Sequence, residues 1–158
     1  MYYEKWNDAI DTLIKHLNLK SATWKEERSA SMRYISRCYN KLNRIEESKM
    51  WLEKAIKETP NSREPYVEYA FLAQQLDDYK LVKELLEKAL LIKNRGKTYI
   101  NENFCWDSTI YDLLSIAYFN LKDYDKALEN VNKALELSND DERIIENRKL
   151  ILEMKNKS

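Results

Sequence analysis

The sequence predicts an all-α solenoid built from antiparallel helix pairs. Only one Gly and two Pro occur among 158 residues, whereas β-hairpins need such residues at their turns. Apolar residues recur at helical spacing in eight segments. Three stretches of 34 residues also align without gaps, which is typical of repeat architectures.

The eight predicted helices are separated by breaks that contain turn-forming residues. They span about residues 3–18, 24–42, 45–58, 63–76, 79–93, 108–121, 124–138 and 140–155. Pro60 follows the end of the third helix. Pro65 falls in the first turn of the fourth, where its missing N–H costs nothing, and Ser62 is placed to cap that helix. The longest break, 94–107, has no helical periodicity.

The three aligned frames carry small residues at matching slots. The frames are 29–62, 63–96 and 108–141; the eighth slot holds Ser36, Ala70 and Ser115, and the twenty-seventh holds Ala55, Ala89 and Ala134. Small side chains are expected where two packed helices cross closely. An unrelated helical bundle would share the apolar spacing but not these small residues in register. The period and the slots resemble the tetratricopeptide repeat (TPR), which implies a right-handed solenoid.

The ends of the chain complete this architecture. The first predicted helix precedes the repeats, and the helix at about 140–155 carries a charged outer face. A solenoid needs such a capping helix to cover its last repeat. We therefore expect residues 1–158 to form a single TPR-like domain.

Several runs are similar to the helical repeat domain that follows the catalytic domain in many bacterial family 2 glycosyltransferases. These runs are TWKEERSASMRYISRCYNKL, PNSREPYVEYAFLA, FCWDSTIYDLLSIAYFNLKDYDKALENVNKALEL and DDERIIENRKL. The resemblance implies an accessory domain that positions or dimerises a transferase, or holds its acceptor. No nucleotide-sugar domain, strand or DxD pair is predicted here, so any transfer would belong to a separate upstream domain. A free-standing adaptor for an unrelated protein complex is the alternative.

The resemblance to TPR proteins also implies where a partner binds, because TPR solenoids usually bind on their concave face. The matching slots give ten candidate binding residues: Arg33, Arg37, Asn40, Lys41, Glu64, Phe71, Gln74, Asp112, Phe119 and Asn120. This series runs from basic through amide and aromatic to weakly acidic, which suits an extended protein or peptide ligand. The alternatives are solvated surface and ion pairs between repeats. For the latter, we expect Arg37 to meet Glu64.

Two tryptophans precede repeat frames. Trp24 lies before the first frame, and Trp106 ends the aromatic run of the 97–107 joint, which also holds Tyr99 and Phe104. Both are candidate rim aromatics that stack on a sugar or a peptide. The alternative is that each anchors an irregular segment by packing.

Charge and composition argue against other classes of function. The 27 basic and 27 acidic residues cancel, so nucleic acid is not an expected partner. His16 is the only His and Gly96 the only Gly, which argues against a metal site, a cofactor, a phosphate-binding loop or a catalytic residue. No apolar stretch predicts membrane insertion, and two cysteines suit the reducing cytoplasm. The expected partners are a protein or peptide and a second copy of the chain in a homodimer.

Overall fold

The computed structural model describes residues 2–96 and 100–158, which form eight α-helices and one 3-10 helix, with no strand among them. The helices are α1 (Tyr2–Leu17), α2 (Lys25–Lys41), α3 (Ile45–Glu58), α4 (Arg63–Gln75), α5 (Tyr79–Leu91), α6 (Thr109–Asn120), α7 (Tyr124–Leu137) and α8 (Glu142–Lys157), with the 3-10 helix η1 (Asn103–Cys105) before α6. The predicted all-α fold is confirmed. Tyr99, one of the joint aromatics, lies outside the described residues.

The helices form three pairs with a single helix at each end. Three-residue turns join α2 to α3, α4 to α5 and α6 to α7, while α1 packs on α2 and α8 on α7. Helix α8 begins and ends two residues later than predicted. The carboxylate of Asp141 accepts hydrogen bonds from the N–H groups of Arg143 and Ile144, and this cap sets the start of the helix.

The turn within each pair has the same backbone geometry. Asn43, Asp77 and Lys122 have φ angles of 57°, 56° and 63°, in the left-handed region. After each of them an N–H reaches back five residues to a carbonyl, as from Arg44 to Tyr39 at 2.8 Å. This is the Schellman ending of an α-helix, and it reverses the chain so that the second helix packs on the first.

Small residues occupy the crossings between paired helices. The eighth-slot residues Ser36, Ala70 and Ser115 and the twenty-seventh-slot residues Ala55, Ala89 and Ala134 are all at most 2% exposed. In the first pair, the Ser36 hydroxyl donates to the Ser48 carbonyl at 2.8 Å, and the Ser48 hydroxyl donates to the Ser36 carbonyl at 2.9 Å. Side chains this small let the helix backbones approach closely.

The buried apolar residues form two clusters. The smaller joins α1 to α2 and α3, through residues such as Ile10, Ile35 and Trp51. The larger runs from Leu52 on α3 to Ile151 on α8. Helix α3 contributes to both, so the first repeat connects the N-terminal helix to the rest of the solenoid.

Candidate functional site

The first helices of the repeats, α2, α4 and α6, together with α8, carry the candidate binding face. The structure places the candidates from the sequence in three different settings. Some are buried in ion pairs, some are covered by the segment between α5 and α6, and others line open cavities. We call residues 100–106 of that segment the strap.

A buried charge cluster joins α2 to α4. The Nη1 of Arg33 donates to Glu68 at 2.8 Å, and the Nε of Arg37 donates to the other oxygen of Glu68 at 2.9 Å. Arg33 and Glu68 are 3% and 8% exposed, whereas the side chain of Arg37 is half exposed. The hydrogen bond from Arg37 to Glu68 raises the pKa of Arg37. One carboxylate therefore holds two arginines on the candidate face.

The predicted meeting of Arg37 with Glu64 is wrong. Arg37 pairs with Glu68, one helical turn further along α4. Glu64 is buried, and its Oε1 accepts the backbone N–H of Glu102 at 3.2 Å. The carboxylate of Glu64, which the repeat pattern predicted to pair with Arg37, therefore binds the strap instead.

The strap lies along α4 from Glu64 to Phe71. Besides the Glu102 N–H bond to Glu64, the ring of Phe104 packs on Phe71, with centroids 5.2 Å apart and planes inclined by 56°. Val67, between these two positions, is fully buried. Glu64 and Phe71 are thus occupied from within the chain, although both were predicted to face a ligand.

Arg63 fixes the C-terminal end of the strap. Its Nη1 donates to the Cys105 carbonyl at 2.9 Å, and its Nε donates to the Ile92 carbonyl at 2.8 Å. Its guanidinium carbon lies 3.8 Å from the centroid of the Trp106 ring, within the range of a cation–π contact. Trp106 is half-buried and packed, so the structure supports its role as an anchor of this segment.

Between α2 and α4, beyond the strap, lies a cavity of about 200 Å³ whose lining mixes charged, amide and apolar side chains. Arg37, Asn40, Gln75 and Phe71 are among its lining residues. The amides of Asn40 and Gln75 bond to each other in both directions, at 2.9 and 3.1 Å. This pairing fixes the amide groups and leaves each with further hydrogen-bonding capacity for a ligand.

An apolar cavity of about 110 Å³ lies between α6 and α8. Its lining includes Ile116, Phe119, Leu150 and Ile151. The ring of Phe119 packs edge-on against Tyr124, 5.7 Å away, which holds it in place. Leu150 lies at the edge of the cavity and is 47% exposed, so the cavity is reachable from solvent. It can therefore accept an apolar side chain of a partner.

Asp112 has a structural partner. It is 7% exposed, and its two oxygens face the guanidinium of Arg143 on α8, with one contact at 3.3 Å and a second that is shorter. The hydrogen bond to Asp112 raises the pKa of Arg143. This ion pair attaches the last helix to the third repeat, so replacing Asp112 would disturb the fold as well as the face.

The remaining candidates are more dispersed. Lys41 and Asn120 are exposed at the ends of α2 and α6, and Asn120 donates to the Ile116 carbonyl at 2.8 Å. Gln74 is half-buried on α4. Trp24 is 37% exposed at the residue that precedes α2, away from Trp106 in the chain.

Three charged residues of this face were missed by the sequence reasoning. Glu68 lies one helical turn from Glu64, the residue that was predicted to pair with Arg37. Glu102 belongs to the non-periodic joint, and Arg143 lies on the capping helix. Arg143 could have been found, because it occupies the same slot in a fourth frame as Glu64 does in the second. Glu102 gives no such signal, since its place depends on the path of the strap.

Two segments match models described as Tetratricopeptide repeat, at residues 35–62 and 108–141. The chain contains tetratricopeptide repeats. No curated protein matches the sequence. The matched segments cover most of α2 with α3, and α6 with α7. Arg37 and Asp112 lie within them, whereas Glu68 lies on α4, between the two matches.

Solved structures of MamA share the TPR-like fold. MamA MSR-1 C2 has 17% identity, covers 97% of this chain and 79% of its own, and has a TM-score of 0.69. Another MamA crystal structure, also at 17% identity, covers 96% of this chain and 79% of its own, with a TM-score of 0.73. The MamA RS-1 ArsTM double mutant, at 15% identity, covers 98% of this chain and 95% of its own, with a TM-score of 0.58. At these identities the likeness describes the TPR solenoid alone.

Residues 2–96 and 100–158 also bear on membrane insertion and on metal binding. No helix in these ranges is both long and apolar enough to cross a membrane. The same ranges hold no group of three or more His, Cys, Asp and Glu side chains arranged to bind a metal ion.

Proposed function

We propose that this chain is a non-catalytic TPR scaffold that binds an extended segment of a partner protein along the part of its concave face left open by the strap. The observation that carries the proposal is the pair of cavities between successive first helices. The one between α2 and α4 includes charged and amide groups in its lining, and the one between α6 and α8 is mainly apolar.

The two cavities suit different parts of one ligand. Arg37 and the Asn40–Gln75 amide pair can hold carboxylate and backbone groups, while Phe119 and Leu150 can hold an apolar side chain. Packed helices lie about 8–10 Å apart, and η1 contacts both α4 and α6. Two steps along the solenoid therefore separate the cavities by at least roughly 20 Å. About six residues of extended chain span that distance.

The partner's identity is left to two hypotheses. The similarity to the repeat domain of family 2 glycosyltransferases favours an accessory role in a glycosyltransferase system, in the cytoplasm and with a homodimer as one arrangement. The matched models describe TPR repeats in general, which fits a free-standing adaptor equally well. Sequencing the gene upstream of this segment separates the two, because only an accessory domain would follow a nucleotide-sugar domain.

The binding proposal is tested by selecting ligands for the purified chain from a displayed random-peptide library. Enriched peptides are then titrated against Arg37→Ala and Phe119→Ala. We expect each variant to raise the Kd by roughly 5- to 150-fold, since charge-assisted and buried contacts contribute about 1–3 kcal/mol each. Circular dichroism should show unchanged helical content, because Glu68 keeps Arg33 as a partner when Arg37 is removed.

Two variants on second helices serve as matched controls. Lys88→Ala removes an exposed cation on α5, and Leu137→Ala removes an exposed apolar side chain on α7. Both should bind the selected peptides like the wild type. If the controls weaken binding as much as Arg37→Ala and Phe119→Ala do, the ligand does not use the open concave face.

A further inference from the structure

The strap occupies the section of the concave face next to the open cavities. Its backbone N–H at Glu102 bonds to Glu64, its Phe104 ring lies on Phe71, and the Glu102 carboxylate is 3.8 Å from Arg33 Nη1. A bound peptide segment makes the same kinds of contact with a groove: one backbone bond, one charge pair and one aromatic contact.

The fit of the strap is incomplete. The Glu102 side chain is 40% exposed, and at 3.8 Å its carboxylate is too far from Arg33 for a hydrogen bond. The Arg33 side chain is 4% exposed, yet its Nε has no hydrogen-bond acceptor among the described residues. A cavity of about 20 Å³ lies here, with Arg33, Glu64, Ile100 and Asn101 in its lining. A buried donor without an acceptor disfavours the strap-covered state.

Removing the strap would leave a face of defined chemistry. The buried Nε of Arg33, which has no acceptor among the described residues, would become reachable, and Glu64 would lose the Glu102 N–H. Phe71 would lose its cover at the same time. In the strap, Glu102 and Phe104 reach Arg33 and Phe71 through the short 3-10 helix η1. The exposed face would therefore complement a segment with an acidic residue followed two positions later, in a similar turn, by an aromatic one.

We propose that the strap is an internal competitor for this section of the groove, and that the section binds a partner segment with the pattern acidic–any–aromatic. The inference rests on the proposed peptide-binding function and extends it in two ways. It names the chemistry of the ligand at α2 and α4, and it names Glu102 and Phe104 as the residues that the ligand displaces.

The test uses a fluorescent peptide that contains the strap sequence INENF between Gly-Ser flanks. Its Kd is measured for the wild type and for the strap variant Glu102→Ala/Phe104→Ala, which leaves Cys105 and Trp106 in place. Occupancy by the strap lowers the apparent affinity by the fraction of open molecules, so we expect the strap variant to bind at least about tenfold more tightly. Adding Phe71→Ala should remove the gain, and a peptide with Glu and Phe exchanged should bind weakly.

Glu136→Ala/Leu137→Ala is the matched control, since it removes one carboxylate and one exposed apolar side chain from α7. It should bind the peptide like the wild type. Equal affinity of the folded strap variant and this control would overturn the inference. If the strap variant fails to fold, hydrogen exchange on the wild type decides: saturating peptide should speed exchange at residues 101–105, and unchanged exchange there overturns the inference.

Failure of this inference can be told apart from failure of the proposed function. Phe119 lies in the other cavity, beyond the strap. Suppose that Phe119→Ala weakens binding of library-selected peptides while the strap variant does not alter binding of the INENF peptide. This result would support the peptide-binding scaffold and would contradict the role of the strap as an internal competitor.

Discussion

Ser36 and Ser48 show how single residues set the distance between two helices. Each hydroxyl bonds to the backbone carbonyl of the other residue, and both side chains are fully buried. In the second pair Ala70 and Ala89 are also fully buried at the crossing. Neither place has room for a longer side chain, because protein interiors are close-packed.

Enlarging these residues should therefore force the paired helices apart. We expect Ser36→Leu and Ala89→Leu each to lower the free energy of unfolding by ~1–3 kcal/mol. Urea denaturation followed by circular dichroism measures this. Lys88→Leu, at the exposed neighbour of Ala89, should change stability by no more than about 0.5 kcal/mol. Equal stability of all three variants would mean that the helices do not cross at these residues.

The small residues could be predicted from the sequence because they recur in register, whereas the charge pairs could not. A slot in the repeat tells which face of a helix a residue occupies. It does not tell how far along the neighbouring helix that residue reaches. Arg37 therefore met Glu68 rather than Glu64, and Glu64 was taken by an N–H from a segment without periodicity.

At the scale of elements, the breaks in the apolar pattern located the three turns within the helix pairs, but they did not predict the backbone conformation of those turns. The residue after the end of a helix is commonly Gly when its φ is positive, but the chain has only one Gly. Asn43, Asp77 and Lys122 take this conformation instead. Asn and Asp adopt it more readily than Lys, because their short polar side chains can bond locally. Lys122 is thus the residue least suited to its turn.

Replacing Lys122 with Gly should stabilise the third pair. The left-handed conformation costs a residue with a Cβ about 1–2 kcal/mol, and the greater freedom of Gly in the unfolded chain offsets about 0.5–1 kcal/mol of the gain. We expect Lys122→Gly to raise the free energy of unfolding by about 0.5–1 kcal/mol. Glu84→Gly, at an exposed position within α5, should lower it by about 1 kcal/mol. A loss of stability in Lys122→Gly would show that its turn is not strained.

The strap is the element that sequence reasoning described least well. Its aromatic residues were noticed, but its course over α4 was not predicted. Residues 100–106 have no repeat partner elsewhere in the chain, so no slot assigns their contacts. Their position depends on long-range bonds from Arg63, which lies 42 residues before Cys105.

At the scale of the whole molecule, the two apolar clusters meet where the first repeat packs on the second. Helix α3 contributes to both, and the ion pairs of Arg33 and Arg37 with Glu68 join α2 to α4. In a solenoid each repeat contacts only its neighbours, so the stability of one junction decides whether the ends unfold together. Glu68 is the shared partner at this junction.

Glu68→Gln should weaken this junction selectively. Removing one partner of a buried ion pair costs about 3–5 kcal/mol, and we expect ~3 kcal/mol because the amide oxygen can still accept one bond from Arg33. Hydrogen exchange should show α1 and α2 losing protection before α6 and α7, whereas Glu136→Gln, at an exposed site on α7, should leave the wild-type order of exchange. Uniform loss of protection along the chain would contradict this, since it would mean that the clusters unfold as one unit without the Glu68 ion pairs.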